Sequence, residues 1–374
     1  MKKHLVFVGG GHAHLTALLH VKDYIDRGHR VTLISSSGYH YYSGMGPGML
    51  SGIYRPQEIR FHVRKMAEDR GAAFLEDRAL RILPAEKTII LDSGAAVQYD
   101  LVSFNTGSEV SADPHNPSRE NVFTVKPIIN LLKAKQYILQ NTGQQESRII
   151  VIGGGPAGVE IAGNVWRLIR DNGRKAQIAF FAGTKLLKNF PERVRSLVRA
   201  SFQEREIRII EGRHMKALGK NSVILDDASE IAFDMAFLAT GVKPASLFKD
   251  SGLPTGQDGG LLVNSYLQSV DHPEIFGGGD CISLKGQPLA KVGVYAVRQN
   301  PVLYKNIFAA LEGGEFMTFT PQKDYLLIFN LGNGKGIFWR NHLIWNGRLS
   351  FILKDYIDRR FMRQFQVSGE LLEE

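Results

Sequence analysis

Three glycines stand together at Gly9-Gly10-Gly11, and three more at Gly153-Gly154-Gly155. A short apolar run precedes each, Leu5 to Val8 and Ile149 to Ile152. Such a run, too brief for a helix and ending abruptly in glycine, is the pattern of a buried parallel strand entering a tight turn. Helix-compatible stretches follow, Leu15 to Tyr24 and Val159 to Ile169. The chemistry of G-x-G-x-x-G is phosphate binding. Its first glycine makes the turn, its second lets the backbone approach a diphosphate, and its third packs helix on strand; the ligand's charge then meets free N–H groups at a helix start. The second loop is complete, with Gly153, Gly155 and Gly158 around Pro156 and Ala157. The first has Gly9 and Gly11, then His12 and Ala13, with His14 in the third glycine's place. That swap predicts either a helix pushed outward or an imidazole beside the ligand.

A dinucleotide site usually places Asp or Glu about 20 residues after the loop, to hold a ribose hydroxyl. Ser35 stands there in the first unit, a weaker partner than a carboxylate. Phe181 or Ala182 stands there in the second, which leaves no ribose acid. Lys185 and Arg174 are near in sequence and would suit a 2′-phosphate. Asp280, after Ile275-Phe-Gly-Gly-Gly279, reads equally as an acceptor for ligand hydroxyls or as a helix N-cap.

The elements that position these residues are duplicated. Residues 88–107 and 222–241 share a β-rich strand, an acidic turn, a short strand, and an apolar run closing on Thr-Gly, at Thr106-Gly107 and Thr240-Gly241. Two correspondences in the same order predict two related nucleotide-binding units of the doubly wound α/β type. The polar, proline-rich stretch 111–118 reads as a linker. Composition agrees. The chain has 374 residues, room for two or three domains, and its 44% hydrophobic and 22% charged residues argue against disorder. The single cysteine, Cys281, excludes an internal disulfide and fits a reducing cytoplasm. The net charge of +9 favours anionic partners or is a solvated surface. No metal-ligand spacing appears among the 11 histidines. No stacking platform or recognition helix points to nucleic acid, and no apolar run is long enough to span a membrane.

These motifs resemble the two-dinucleotide-binding-domain flavoproteins, within them the type II NADH:quinone and sulfide:quinone oxidoreductases, and more narrowly the flavoprotein module sometimes fused to selenide, water dikinase. The likeness rests on Gly9-Gly-Gly-His-Ala-His14, Tyr42-Ser-Gly-Met-Gly-Pro-Gly48, Gly293-Val-Tyr-Ala-Val-Arg-Gln299 and Leu353-Lys-Asp-Tyr-Ile-Asp-Arg-Arg-Phe-Met362. It implies two Rossmann-like domains of the three-layer ββα type, the second inserted in the first. Residues 1–115 and 255–320 would bind FAD, 116–254 would bind NADH or NADPH, and 321–374 would form an α+β tail. For FAD, the resemblance implies the loop from Gly9 and Gly10 to His14, Ser35 at the adenosine ribose, Thr106 and Gly107, and Gly279 with Asp280 on the ribityl chain. Pro47 and the turn Lys291-Val292-Gly293 would flank the isoalloxazine. For NAD(P)H it implies Gly153 to Gly158, Thr240, Gly241, and Glu160 near the nicotinamide; Glu160 reads equally as an ordinary first-turn carboxylate. Val294 and Arg298 replace two glutamines usual in the type II dehydrogenases, which departs from a standard quinone pocket.

The tail carries Leu349, Ile352, Leu353, Tyr356, Ile357 and Phe361 at helical spacing, with Lys354, Arg359, Arg360 and Arg363 beside them. An amphipathic helix over 349–365 is expected, docked on its own domain, with a peripheral membrane helix at the inner face as the alternative. The resulting expectation is a flavoprotein passing electrons from NAD(P)H through FAD to a quinone-like acceptor, without a redox disulfide. Lys291 is the candidate cation where negative charge develops. A flavoprotein acting on a sulfur or selenium compound, and a non-catalytic flavin-binding sensor, are the rivals. Oligomeric state is open, with a homodimer among the options.

Overall fold

The computed structural model describes residues 2–110, 119–143, 146–322 and 324–373, so the segment read as a linker at 111–118 lies outside the described residues. The first unit contains β1 (His4–Val8), β2 (Arg30–Ser35), β3 (Ala73–Glu76), the antiparallel meander β4 (Ala79–Leu83), β5 (Thr88–Leu91) and β6 (Ala96–Gln98), and β7 (Leu101–Phe104). Its parallel sheet runs β3-β2-β1-β7 and is completed by the strand Ile275–Gly277 beside β7. The second unit contains β8 (Val122–Thr124), β9 (Ser147–Ile152), β10 (Ala176–Phe181), β11 (Arg208–Ile210), the meander β12 (Met215–Leu218), β13 (Ser222–Leu225) and β14 (Glu230–Ala232), and β15 (Met235–Leu238). Its parallel sheet runs β11-β10-β9-β15-β8.

The first four strands of the two sheets run in the same order, which explains the repeat in the sequence; the fifth is Ile275–Gly277, late in the chain, in one and β8, ahead of β9, in the other. In each unit a meander turns the chain back so that the next strand lies on the far side of the first. That strand ends in Thr-Gly. Every residue of β1, β7 and β15 is buried. A strand covered on both faces reads as a near-continuous apolar run, not as an alternation. Each such Leu, Val or Phe contributes roughly 1.5–3 kcal/mol of hydrophobic stabilisation.

The two glycine loops enter their helices differently. In the second, α2 (Pro156–Asp171) starts at once, with proline at its first position, where no N–H is needed. A Cβ on Gly158 would lie 2.0 Å from the Gly153 carbonyl oxygen. His14 cannot occupy that space, so the first loop opens into a 3-10 turn, His12–His14, ahead of α1 (Leu15–Leu19). The His14 ring drops into the core instead, edge-on to Phe7. Its Nδ1 lies 2.7 Å from Gly9 O and its Nε2 2.8 Å from Ser103 Oγ. A carbonyl only accepts, so Nδ1 carries the proton and Nε2 accepts from the serine hydroxyl. Burial pulls its pKa down to about 4, which keeps the ring neutral. Of the two outcomes expected of this swap, the helix start is displaced and the imidazole braces the turn from beneath.

After the second unit come α3 (Gly293–Glu312), a three-stranded antiparallel sheet (Leu327–Asn330, Gly336–Arg340, Leu343–Gly347), and α4 (Arg348–Phe365). The sheet touches α2 backbone to backbone: a Cβ on Gly163 would lie 2.4 Å from Leu331 O, and one on Gly332 2.0 Å from Gly163 O. Four of the six residues of the expected α4 stripe face outward, while Leu353 is half-buried and Phe361 packs on Tyr42 and Phe61. Ser350, Asp358, Met362 and Phe365 are buried against the protein, whereas Leu349, Ile352, Tyr356 and Ile357 are exposed, Leu349 by 77%. Asp358 is held on the inner face by Tyr42 and Lys354. Lys354 and Arg359, read as surface cations, are engaged with Asp358 and with Glu58 and Asp355.

Candidate active site

Ligands of open parallel sheets bind beyond the carboxyl ends of the strands, where the strand order reverses. In the first sheet that point lies between β1 and β7, and Asn105 is its centre. A Cβ on Gly9 (φ +87°) would lie 2.3 Å from Asn105 O; one on Gly11 would lie 2.7 Å from its carboxamide; one on Gly279 (φ +77°) would lie 2.6 Å from its Oδ1. Only bare backbone fits this close. Around it His12 Nε2, Asn105 Nδ2 and Gln299 Nε2 are buried without a partner among the described residues. An unpaired buried polar atom is costly, and these suit a ligand rich in phosphate and hydroxyl oxygens. The crevice therefore fits FAD.

Thr106 and Gly107 follow β7 at the rim, and Ser35 ends β2 with its hydroxyl donated to Ser37 O at 3.0 Å. Asp280 caps no helix. Its Oδ2 accepts from Ser108 Oγ at 2.7 Å and pairs with Lys126 Nζ at 2.5 Å. Pro47 is buried in the short helix Gly46–Leu50. Ser43 Oγ would lie 3.6 Å from a Cβ on Gly293, so the Tyr42–Gly48 segment abuts the Lys291-Val292-Gly293 turn. Lys291, the candidate cation, is paired. Its Nζ donates to Ile282 O at 2.6 Å and meets Asp258 Oδ2 at 2.7 Å.

The second cleft, about 250 Å³, lies at the ends of β9 and β10 and includes Gly154, Gly155, Pro156, Thr184, Lys185 and Lys188 in its lining. Gly153 and Gly154 are pressed against Ala239 O and Ala182 O, whereas a Cβ on Gly155 would meet nothing within 4 Å. The middle of the loop is thus open to a ligand, as a diphosphate requires. Ala157 is exposed in the first turn, and Thr240 and Gly241 (φ +104°) are exposed after β15. Arg174 has no place here. It precedes β10, at the opposite end of that strand, and donates to Leu139 O.

A polar cluster that the residue pattern did not reveal joins the two clefts. Glu160, one turn into α2, accepts from Asn330 N at 2.7 Å through Oε1. Asn164 ties Glu160 O to Ser51 at 2.8 Å on either side. Lys354 reaches in from α4, donating to Gly44 O at 2.7 Å and to Asp358 Oδ2 at 2.8 Å. Asp358 Oδ1 accepts from Tyr42 at 3.0 Å. The Tyr42 ring packs on His12, whose Nδ1 lies 3.1 Å from His40 Nε2. Burial drives the Glu160 pKa up, countered by Lys354 and the Asn330 N–H and reinforced by Asp358, to about 7. Burial would lower the Lys354 pKa, but Asp358 and Glu160 overcome it and the ammonium stays charged. Burial first, then the charge of Lys126, lowers His12 to about 3, and His40 is held neutral in the same way. A carboxyl poised near 7 beside a fixed cation is suited to proton exchange at physiological pH. The sequence signal was slight: Lys354 and Asp358 at i, i+4 look like a surface pair.

Residues 3–302 match the family model for pyridine nucleotide-disulphide oxidoreductases. The chain belongs to this family. It is an FAD-dependent oxidoreductase that uses a nicotinamide nucleotide. It is 25% identical over 349 residues to ferroptosis suppressor protein 1 of Xenopus tropicalis, covering 89% of this chain and 87% of that one. It is 22% identical over 297 residues to the NADH dehydrogenase-like protein YutJ of Bacillus subtilis, covering 78% and 80%. The structure of NDH2 from Plasmodium falciparum in complex with NADH shares the fold, with a TM-score of 0.83 at 16% identity over 99% of this chain and 98% of that one. The family's disulphide has no counterpart. The one cysteine, Cys281, is buried, its Sγ lies 3.3 Å from Gly278 O, and burial pushes its thiol pKa up.

Proposed function

We propose that this chain carries electrons from NADH or NADPH through FAD to a quinone. The observation that carries the reading is that Lys354 and Asp358 grip the Tyr42–Gly48 segment through Gly44 O and Tyr42, with Glu160 of α2 within Coulombic range of both and no redox cysteine beside them. Gly9 to His14 would hold the FAD diphosphate, with Ser35, Thr106, Gly107, Gly279 and Asp280 along the rest of it and Pro47, Lys291, Val292 and Gly293 at the ring. Gly153 to Gly158, Thr240 and Gly241 would hold the nucleotide. Bound FAD would supply the hydride-accepting and two-electron-donating chemistry that links nicotinamide to acceptor. Reduction of a quinone to a quinol also consumes two protons, and the chain must deliver at least one from water. Glu160, half-protonated near neutral pH, would hold that proton on Oε2 while Asn330 N fixes Oε1. Lys354, paired with Asp358 much as Lys291 is with Asp258, would be a second cation facing negative charge that develops on the acceptor. Anaerobic stopped-flow tests the reading. Millimolar NADH or NADPH should bleach the flavin band, and a short-chain benzoquinone should restore it. Failure of both nucleotides to bleach it would overturn the proposal.

A quinone dissolves in lipid, and the tail offers a face for it. Leu343, Trp345, Leu349, Ile352, Tyr356 and Ile357 are exposed, and Arg348, Arg360 and Arg363 are exposed beside them. No helix among the described residues is long and apolar enough to cross a membrane. We place this face on the cytoplasmic surface of an anionic bilayer as a peripheral contact. The protein should sediment with phosphatidylglycerol vesicles and not with phosphatidylcholine vesicles. Leu349→Glu with Ile352→Glu should abolish sedimentation; binding that survives this pair would remove the assignment.

A further inference from the structure

The second cleft is built for more phosphate than a diphosphate. β10 ends in Phe181 and Ala182 follows it, both buried, so no carboxylate is presented where a ribose 2′-hydroxyl would be held. The lining beyond them is Thr184, Lys185 and Lys188. The nearby acids are committed elsewhere. Glu211 accepts from Leu186 N at 2.6 Å and from Arg199 at 3.0 Å. Glu192 holds Arg195 and Arg199, and meets Lys185 only at 3.8 Å. Lys188 has no carboxylate within salt-bridge range among the described residues. Thr184 Oγ1 lies 3.2 Å from His214 Nε2 at the rim, so hydroxyl, imidazole and two ammonium groups gather at one corner. A carboxylate at this corner would repel a 2′-phosphate. Ammonium groups attract it, and charge-assisted bonds to phosphate are about twice as strong as neutral ones.

We infer that Thr184, Lys185 and Lys188 form a 2′-phosphate subsite, so that the cleft takes NADPH in preference to NADH. The inference rests on the reading of this cleft as the nucleotide site. Its test is calorimetric binding of 2′,5′-ADP and of 5′-AMP to the purified holoprotein. The 2′-phosphorylated probe should bind about 10- to 100-fold more tightly, and the ratio should shrink as salt rises. Lys188→Glu and Lys185→Glu, both at exposed positions, should each weaken the 2′-phosphorylated probe far more than 5′-AMP, erasing most of that ratio, while flavin content is unchanged. Equal affinity for the two probes would overturn the subsite and leave the nucleotide site standing. Binding of neither probe by a flavin-loaded protein would remove the nucleotide site itself. A preference that both lysine variants retain would move the subsite away from this corner and overturn the assignment.

Discussion

Lys354→Met should lower quinone reduction about 100-fold, within the range for loss of a positioned acid–base group, and should also weaken the fold. Methionine keeps most of the apolar stem, so the change isolates the charge. Asp358, only 5% exposed, would lose its counter-ion. Breaking a buried pair from one side costs about 3–5 kcal/mol, because the remaining charge is stranded. Pairing the variant with Asp358→Asn should therefore recover stability but not turnover, which separates the two effects. Glu160 supplies a third readout. Its folded pKa, about 7, lies above the ordinary 4.5, so the folded state holds the extra proton between those values. Stability accordingly falls as pH rises through this window, and the loss is complete above about 7. Lys354 holds the Glu160 pKa down, so its removal should move the upper end of the window higher, in denaturation midpoints and in the pH profile alike. Glu160→Gln should remove the slope. Wild-type turnover in Lys354→Met would reduce the cluster to a structural brace.

The second large effect is expected at Gly158. Gly158→Val should weaken NAD(P)H binding by at least about 100-fold while FAD stays bound. A Cβ there would lie 2.0 Å from Gly153 O, so backbone rather than a flexible side chain must yield. The first loop shows what yielding means. With His14 at this position the helix begins as a 3-10 turn and α1 runs only to Leu19. α2 cannot make the same adjustment cheaply, since its next turns carry Glu160, Gly163 and Asn164 to fixed partners on the tail. The diphosphate cradle would open and Glu160 would shift with it. Flavin absorbance per protein and a nucleotide fluorescence titration check both halves; tight nucleotide binding with valine in place would refute the cradle.

The glycine loops, the all-apolar strands and the repeated meander were legible in the sequence because each is a local pattern. Two related doubly wound units followed from the duplication. What was hidden arises from distance. Tyr42, Glu160, Asn330 and Asp358 meet only because the tail folds back over both units, and no spacing in the chain announces that. The face of α4 was misjudged because both sides carry apolar residues; the buried side was decided by ion pairs and hydrogen bonds with partners some 300 positions away. Proximity along the chain misleads for the same reason. Arg174 is near the loop in sequence but at the wrong end of its strand, and Lys291 is near the crevice but claimed by Asp258.

The contact between Gly163 and Gly332 has a mechanical meaning. Two main chains lie against each other with no side chain as a cushion, and the same tail continues into the helix that delivers Lys354. It acts as a splint across the two nucleotide units. Hinge-like swivelling of one nucleotide unit against the other would have to peel this splint away.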